Sequence, residues 1–470
     1  MDSANAPRTV SHPRLGTGQL LKTYMGGYQW EVVFANGSRY RLPSYQFAPE
    51  SIAANTPTSN NTFRPIIQPP QTDQFRNRQT LEALRMGIVP VQNVEDLTIG
   101  LEIEQASLER ALLRTQEHGG DALALIADYG FGKSHFVELT ARKALKQNFL
   151  VALASLDVVE VPPSKGREIY RALVTSIRYP DHDERGLKPL LEGIQANPAA
   201  VREFVARKPI ADCPLCAALE ALADCPDQAA HDDLINWISA QIKPTAEMKR
   251  CLKKPPALYA IGEVARQYAY LLTAISALAV SAGYSGLAVL IDESEHYSLL
   301  KGTQKERAAA FFQAMIYAAV GPDNSLVDIA AIQHHARPDY PLQFSEDSRL
   351  FFLFASTEGD RDKRIPIDEW LSPSQIVRLD DRFLKDDIDK FLKMVLRYHS
   401  VAYHYAPARD RYETLVRNAA VALSRVLSQH RFNIRELIRL AVTLCDLMFL
   451  HPDYAPDDLY GELARGLGVT

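Results

Sequence analysis

Eight residues, Ala127-Asp128-Tyr129-Gly130-Phe131-Gly132-Lys133-Ser134, stand between a strand-like apolar run and a helix-like amphipathic run. That order of parts suits a loop that cradles phosphate. Glycines let backbone N–H groups turn toward an anion, and the following helix adds its positive dipole end. A lysine then neutralises β/γ charge and a serine hydroxyl reaches magnesium. Gly130, Gly132, Lys133 and Ser134 meet these needs at the right spacing, with Asp128, Tyr129, Phe131 and His135 flanking them in the expected binding stretch. Ala127 replaces the first glycine usual in such loops, at a position that mainly needs a small residue. A chance Gly-Lys-Ser in a surface turn is the plainer alternative, so the loop needs partners elsewhere.

The first partner is Asp292-Glu293, two carboxylates in a row after the apolar run Leu287, Val289, Leu290 and Ile291. Packing alone does not end a buried strand this way, because unpaired carboxylates are costly beside an apolar core. Asp292 is expected to hold magnesium together with Ser134, and Glu293 to polarise the attacking water. Ser356 and Thr357 close another apolar run, where a hydroxyl can orient water beside the γ-phosphate; a simple strand-end turn is the bland reading. Arg435 falls in the first turn of a late helix that Asn433 can cap. A cation there opposes the helix dipole, which makes sense if the guanidinium reaches an anion. The alternative is a solvated arginine. The cofactors expected at this constellation are ATP and Mg2+.

Positioning such groups takes a parallel sheet. The runs 122–128, 148–158, 286–294, 350–357 and 375–380 are apolar enough for strands covered on both faces. Residues 96–380 therefore read as a P-loop ATPase core of α/β class, with a helical insertion at about 181–280 in place of an implausibly long loop. Residues 381–470 read as a helical lid domain. Upstream, 49–95 combine a Ser/Thr/Asn/Pro linker with a helix stopped by Gly87 and Pro90. Residues 1–48 carry hairpin signals at Gly26-Gly27 and Asn36-Gly37 between β-rich runs, which predicts a small SH3/Tudor-like β-barrel.

The 470 residues exceed one ordinary core, so two or three domains are expected. A net charge of −5 gives no chain-wide polybasic field, leaving nucleic acid only a local patch. The first 45 residues supply one: Arg8, Arg14, Lys22, Arg39 and Arg41 outnumber Asp2 and Glu31, with Tyr24, Tyr28, Trp30 and Tyr40 among them. Some of these aromatics, Trp30 first, are expected in the small module's core. No secretory h-region or membrane-length apolar run is visible, so a cytoplasmic location without membrane contact is expected. Five cysteines argue against a disulfide framework. Cys213, Cys216, Cys225 and His231 could form a zinc site, but the helix-forming residues between them favour buried packing. His334-His335 and the tyrosine-rich stretch around Tyr405 read as surface or packing residues.

The stretches "QTLEALRMGIVP", "LTIGLEIEQASLERALL", "ADYGFGKSHFVELTARKAL", "GLAVLIDESE" and "RFNIRELIR" together resemble, in order, the BREX-system ATP-binding family of BrxC/BrxD-like P-loop proteins of bacterial phage defence. The likeness spans about residues 75–450 and implies an AAA+-type ATPase with a helical lid. It assigns Lys133 and Ser134 to the phosphate-loop pair, Asp292 and Glu293 to the second motif, and Arg435 to the lid arginine. Leu101 departs from it, standing where relatives often have arginine. The N-terminal "HPRLGTG" is similar to the Tudor-like module of UvrD-type helicases, which implies docking and not catalysis. The resulting expectation is an ATPase acting on double-stranded DNA or on other defence-system proteins. A homo-oligomer is expected to supply an arginine finger, with Arg337, Arg361 and Arg364 as weak candidates. A nucleotide-gated switch or adaptor with slow or no hydrolysis is the alternative.

Overall fold

The computed structural model describes residues 8–12, 16–24, 29–34, 37–43, 73–258, 265–322, 325–332, 340–345, 349–358, 364–379, 385–405, 409–429 and 434–466. Asn36, Gly26-Gly27, His334-His335, Arg337, Arg361 and Asn433 lie outside them, as do the side chains of Tyr24 and Trp30. The chain divides into two units, Met1–Pro70 and Gln71–Thr470.

The first unit holds four strands, β1 (Arg8–His12), β2 (Gly16–Tyr24), β3 (Gln29–Phe34) and β4 (Arg39–Pro43). Each pairs antiparallel with the next, in the order β1-β2-β3-β4. The expected barrel is not shown: among the described residues β1 and β4 are edges, and the sheet is open. Closure needs the edge strands to pair as well. Val10, Val32 and Phe34, with Leu20 against them, form its core. Tyr40 stays largely exposed, its ring edge-on to Phe34.

In the second unit five strands, β5 (Gly120–Ile126), β6 (Phe149–Ser155), β7 (Gly286–Asp292), β8 (Leu350–Ser356) and β9 (Ile376–Arg378), form one parallel sheet in the order β6-β7-β8-β5-β9. Apart from Asp121 in β5, which meets Arg114, and the strand-end residues Ser155, Asp292, Ser356 and Arg378, these strands are apolar, and the reason is visible residue by residue. Ala124, Ile126, Val289, Ile291, Phe352 and Phe354 enter the core on one face. Leu123, Leu125, Ala288, Leu290, Phe351 and Leu353 enter the core on the other. With a side-chain period of two, a strand covered on both sides is apolar at nearly every position.

Helices α2 (Glu102–His118) and α3 (Lys133–Lys146) cover the second face. The first is covered by α4 (Gly166–Ser176), α10 (Ala265–Ser281) and α11 (Thr303–Val320). Between α4 and α10 run the short helices α5 (Lys188–Gln195), α6 (Pro198–Ala206), α7 (Pro214–Leu222), α8 (Gln228–Ile238) and α9 (Met248–Cys251), whose apolar residues join the same core. Helix α12 (Ile367–Trp370) precedes β9. Among the described residues no helix is long and apolar enough to cross a membrane.

A second helical body is discontinuous in sequence. Helix α1 (Asp73–Met86) packs Leu81 and Leu84 into the core of α13 (Lys385–Ala402), α14 (Arg409–Gln429), α15 (Ile434–Leu450) and α16 (Pro456–Gly466). Polar contacts fix its register: Arg78 Nε donates to the Ala402 carbonyl at 2.8 Å, and Arg85 Nη2 donates to both Asp446 oxygens at 3.0 and 2.9 Å. Asp446 also meets His399 Nε2 at 3.0 Å, and His399 Nδ1 meets Tyr405 Oη at 2.9 Å. Sequence spacing shows no carboxylate partner for this histidine; folding supplies one from α15. His399 and Tyr405 are thus packing residues, as expected, within a satisfied polar network.

Burial alone pushes the Asp446 carboxyl up, but His399 and Arg85 outweigh it and hold the group below the ordinary carboxylate range. A depressed folded pKa gives stability that is present above the unfolded value, about 4, and is lost as pH falls through the folded one. Asp446→Asn is therefore expected to lower stability at pH 7 by about 1–2 kcal/mol, the scale of a half-exposed charged hydrogen bond. As the pH falls from about 4 through the lower folded value, the variant and the native chain should converge. Urea denaturation at pH 7 and in acid checks this; an equal deficit at both would assign the loss to packing and not to charge.

Candidate nucleotide site

Parallel pairing brings the C-terminal ends of β5, β7 and β8 to one edge of the sheet, the edge where α/β folds bind ligands. Ile126 is in register with Ser356, and the next amide, Ala127 N, donates to the Ser356 carbonyl at 3.2 Å. Ala127 is itself buried, so a small residue is what the position demands. The loop then turns through Gly130 (φ 86°) and Gly132 (φ 89°) into α3. A side chain at Gly132 would meet nothing within 4 Å, so glycine serves the left-handed backbone here and not the space. The first N–H groups of α3 have no partner within the helix, which suits an anion. Ser134 is exposed beside them.

His135 plays a different part from its loop neighbours. Its Nε2 lies 2.8 Å from Thr98 Oγ1, and burial lowers its pKa to about 4, so the imidazole is neutral near pH 7. It ties the segment before α2 to the start of α3.

Lys133 is buried, with Nζ 3.3 Å from the Ala127 carbonyl and 3.4 Å from Thr357 Oγ1. Its ion-pair partner is neither of the carboxylates singled out in the sequence but Glu295, at 3.4 Å. Asp292 ends β7 with its Oδ1 accepting the Glu293 amide at 2.9 Å. Glu293 follows in a left-handed conformation (φ 58°), which costs a non-glycine residue about 1 kcal/mol. Burial, then the charges of Glu295 and Asp292, push the Glu293 carboxyl up to about 7. For Glu295, burial is outweighed by its backbone amide, Thr357 and Lys133, which hold it low. The turn Ser294–Leu299 returns Glu295 to the lysine. A second acid two residues beyond Glu293 was the only signal for it in the sequence. Ser356 is buried in the strand, while Thr357 reaches the lysine.

A cavity of about 420 Å³ extends from the loop toward the helical body. Lys133, Ser134 and Glu293 line its polar part; Ile88, Leu97, Ile99, Phe391, Leu437 and Ile438 line an apolar part. That size and division fit a ligand with an anionic tail and a flat apolar base. Leu101, the departure noted in the sequence, lines the cavity as well. Ser134 and Asp292 have the oxygen chemistry that magnesium takes, so the residues present fit that ion.

Arg435, second residue of α15, docks on the loop itself. Its Nη1 donates to Tyr129 Oη at 2.8 Å, its guanidinium sits 5.1 Å from that ring's centre, and its amide donates to the Gly130 carbonyl at 3.3 Å. Its stem fills the space at Gly87, where a Cβ would lie 2.7 Å from Arg435 Cγ. The helix-ending glycine of α1 therefore also admits the arginine. Tyr129 as an aromatic seat for the guanidinium was not legible in the sequence.

Of the candidate zinc ligands, Cys213, Cys216 and Cys225 serve other contacts. Cys213 Sγ caps α7, accepting the Cys216 amide at 3.4 Å, and both residues are fully buried. Cys225 pairs instead with Cys251 as a disulfide, a link the odd cysteine count did not suggest. Among the described residues no group of three or more ligand side chains could hold a metal.

The family model described as BREX system ATP-binding protein BrxC/D matches residues 73–208 and 214–319. No curated protein matches the chain. Among solved structures it has a distant likeness to the Walker-type ATPase of Pyrococcus abyssi, at 13% identity and a TM-score of 0.33, covering 79% of this chain and 73% of that one. The matched residues contain the phosphate loop, the carboxylate strand and α1 of the helical body: the chain belongs to the BrxC/D family of BREX system ATP-binding proteins.

Proposed function

We propose that this chain hydrolyses ATP with magnesium and uses the cycle to act on DNA or on other components of a bacterial phage-defence system. The observation that carries the reading is the meeting of Lys133, Thr357 and Glu295 at one sheet edge, where Lys133 and Glu293 line the cavity. In it, Lys133 and the amides of Gly130–His135 bind phosphate oxygens, and the apolar part of the cavity takes the base. Ser134 and Asp292 hold magnesium, which supplies charge neutralisation on the phosphates. Glu293 accepts a proton from the attacking water, and Ser356 and Thr357 help to orient that water.

Arg435 carries nucleotide state to the lid. One observation favours a gated, slow basal cycle as the second reading: its guanidinium is held by Tyr129, and reaching phosphate means leaving that ring. DNA contact rests on the basic and aromatic content of the first unit, where Arg39 and Tyr40 are exposed. Assembly with other BREX components follows from the family. A homo-oligomer with an arginine finger remains part of the proposal. Arg364 is poorly placed for that role, because its guanidinium is engaged by Asp368 at 2.7 Å.

ATP turnover with and without double-stranded DNA, together with solution mass, separates the two readings. DNA-stimulated phosphate release supports the first; flat, slow turnover supports the second. Lys133→Ala should weaken ATP by at least about a hundredfold, the scale of a buried charge-assisted contact. Unchanged affinity in the folded variant would remove the loop from the site. Glu293→Gln should keep nucleotide affinity and stop turnover, as single-turnover phosphate release will show; full hydrolysis there moves the base elsewhere. Arg435→Ala should slow hydrolysis about tenfold, equivalent to about 1.4 kcal/mol, with little effect on the melting temperature. Native turnover in that variant returns Arg435 to a purely structural contact.

A further inference from the structure

The phosphate-loop lysine has an anionic partner inside its own chain. Among the described residues Glu295 is the carboxylate within ion-pair reach of Lys133, whose own surface is 6% exposed. Asp292 and Glu293, the acids the sequence puts forward, make no ion pair with it among those residues. A buried ammonium without an anion is strongly unfavourable, and Glu295 meets that need. It meets it loosely. The three contacts to Lys133 Nζ, at 3.3–3.4 Å, are longer than a good charge-assisted hydrogen bond of about 2.7–2.9 Å. The second oxygen of Glu295, Oε2, is buried without a hydrogen-bond partner. The carboxylate keeps its backbone amide, Thr357 and Lys133 as partners, but its hydrogen-bond shell is left open at Oε2.

We infer that Glu295 is an internal counter-ion that competes with the nucleotide's phosphates for Lys133 and so sets the affinity of the site for anions. The inference rests on the reading of this loop as a phosphate site. Binding exchanges one ion pair for another: the ammonium leaves Glu295 for a phosphate oxygen, and the carboxylate is left beside Glu293. Affinity then reflects the difference between two ion pairs and not the full strength of one. The residue acts through Lys133, so it is a positioning residue. Its effect must fall on the charged part of the ligand and spare the base.

Calorimetry on the full chain, without divalent metal, tests this with pyrophosphate, ADP and adenosine as probes. Glu295→Gln is expected to tighten pyrophosphate and ADP about tenfold, between the scales of an exposed and a buried ion pair, and to leave adenosine unchanged. Glu295→Asp, which keeps the charge but draws it back by one methylene, should fall between Gln and the native chain; it also decides the matter if the Gln variant does not fold. Equal or weaker pyrophosphate binding in the folded variants overturns the inference. So does a shift in adenosine as large as that in pyrophosphate, which would mean altered packing. Failure of the native chain to bind pyrophosphate or ADP, with Lys133→Ala no different, marks failure of the nucleotide reading itself.

Discussion

The ammonium of Lys133 is almost wholly withdrawn from water, at the edge where three parallel strands end. Such a charge is tolerated only where acceptors converge on it, and each acceptor here comes from a different strand end: the Ala127 carbonyl after β5, Thr357 after β8 and Glu295 after β7. The strand order places those ends side by side, and the order survives because both faces of the sheet are covered. Remove the helices on either face and the apolar strands that aim these groups lose their reason to lie together. The chemistry of the edge and the packing of the core are therefore one constraint.

The helical body extends that constraint. Its polar anchor, Arg85 with Asp446 and His399, fastens α1 to α13 and α15. Because α1 leads into the cavity-lining segment that Thr98 pins to His135, the body and the loop share one wall. Arg435 closes the arrangement from the other side, on Tyr129 and over Gly87. Residues of both the loop and the helical body line the cavity between them.

The cysteines show how far local spacing misleads. Cys213 and Cys216 have ligand-like spacing, yet they begin a helix whose apolar face is buried, so their sulfurs serve a cap and a core. Cys225 lies beyond that helix and finds Cys251 instead. Ligand sets need convergence in space, which a spacing in sequence cannot guarantee.

By itself the sequence determined the five core strands, the phosphate loop, Asp292-Glu293 and the helical character of the C-terminal part. Each is written in contiguous residues: apolarity at nearly every position for a doubly covered strand, glycines where φ turns positive, acids at a strand end. Tertiary structure alone decided the rest, because the deciding contacts join residues far apart in the chain. Lys133 went to Glu295 and not to Asp292 because a short turn folds the later acid back. Arg435 went to Tyr129 because Gly87 leaves room for its stem. His399 found its carboxylate on another helix. The first unit's strands were legible from their alternation and turns, but whether their edges meet is a matter of pairing across the sheet, and among the described residues they do not.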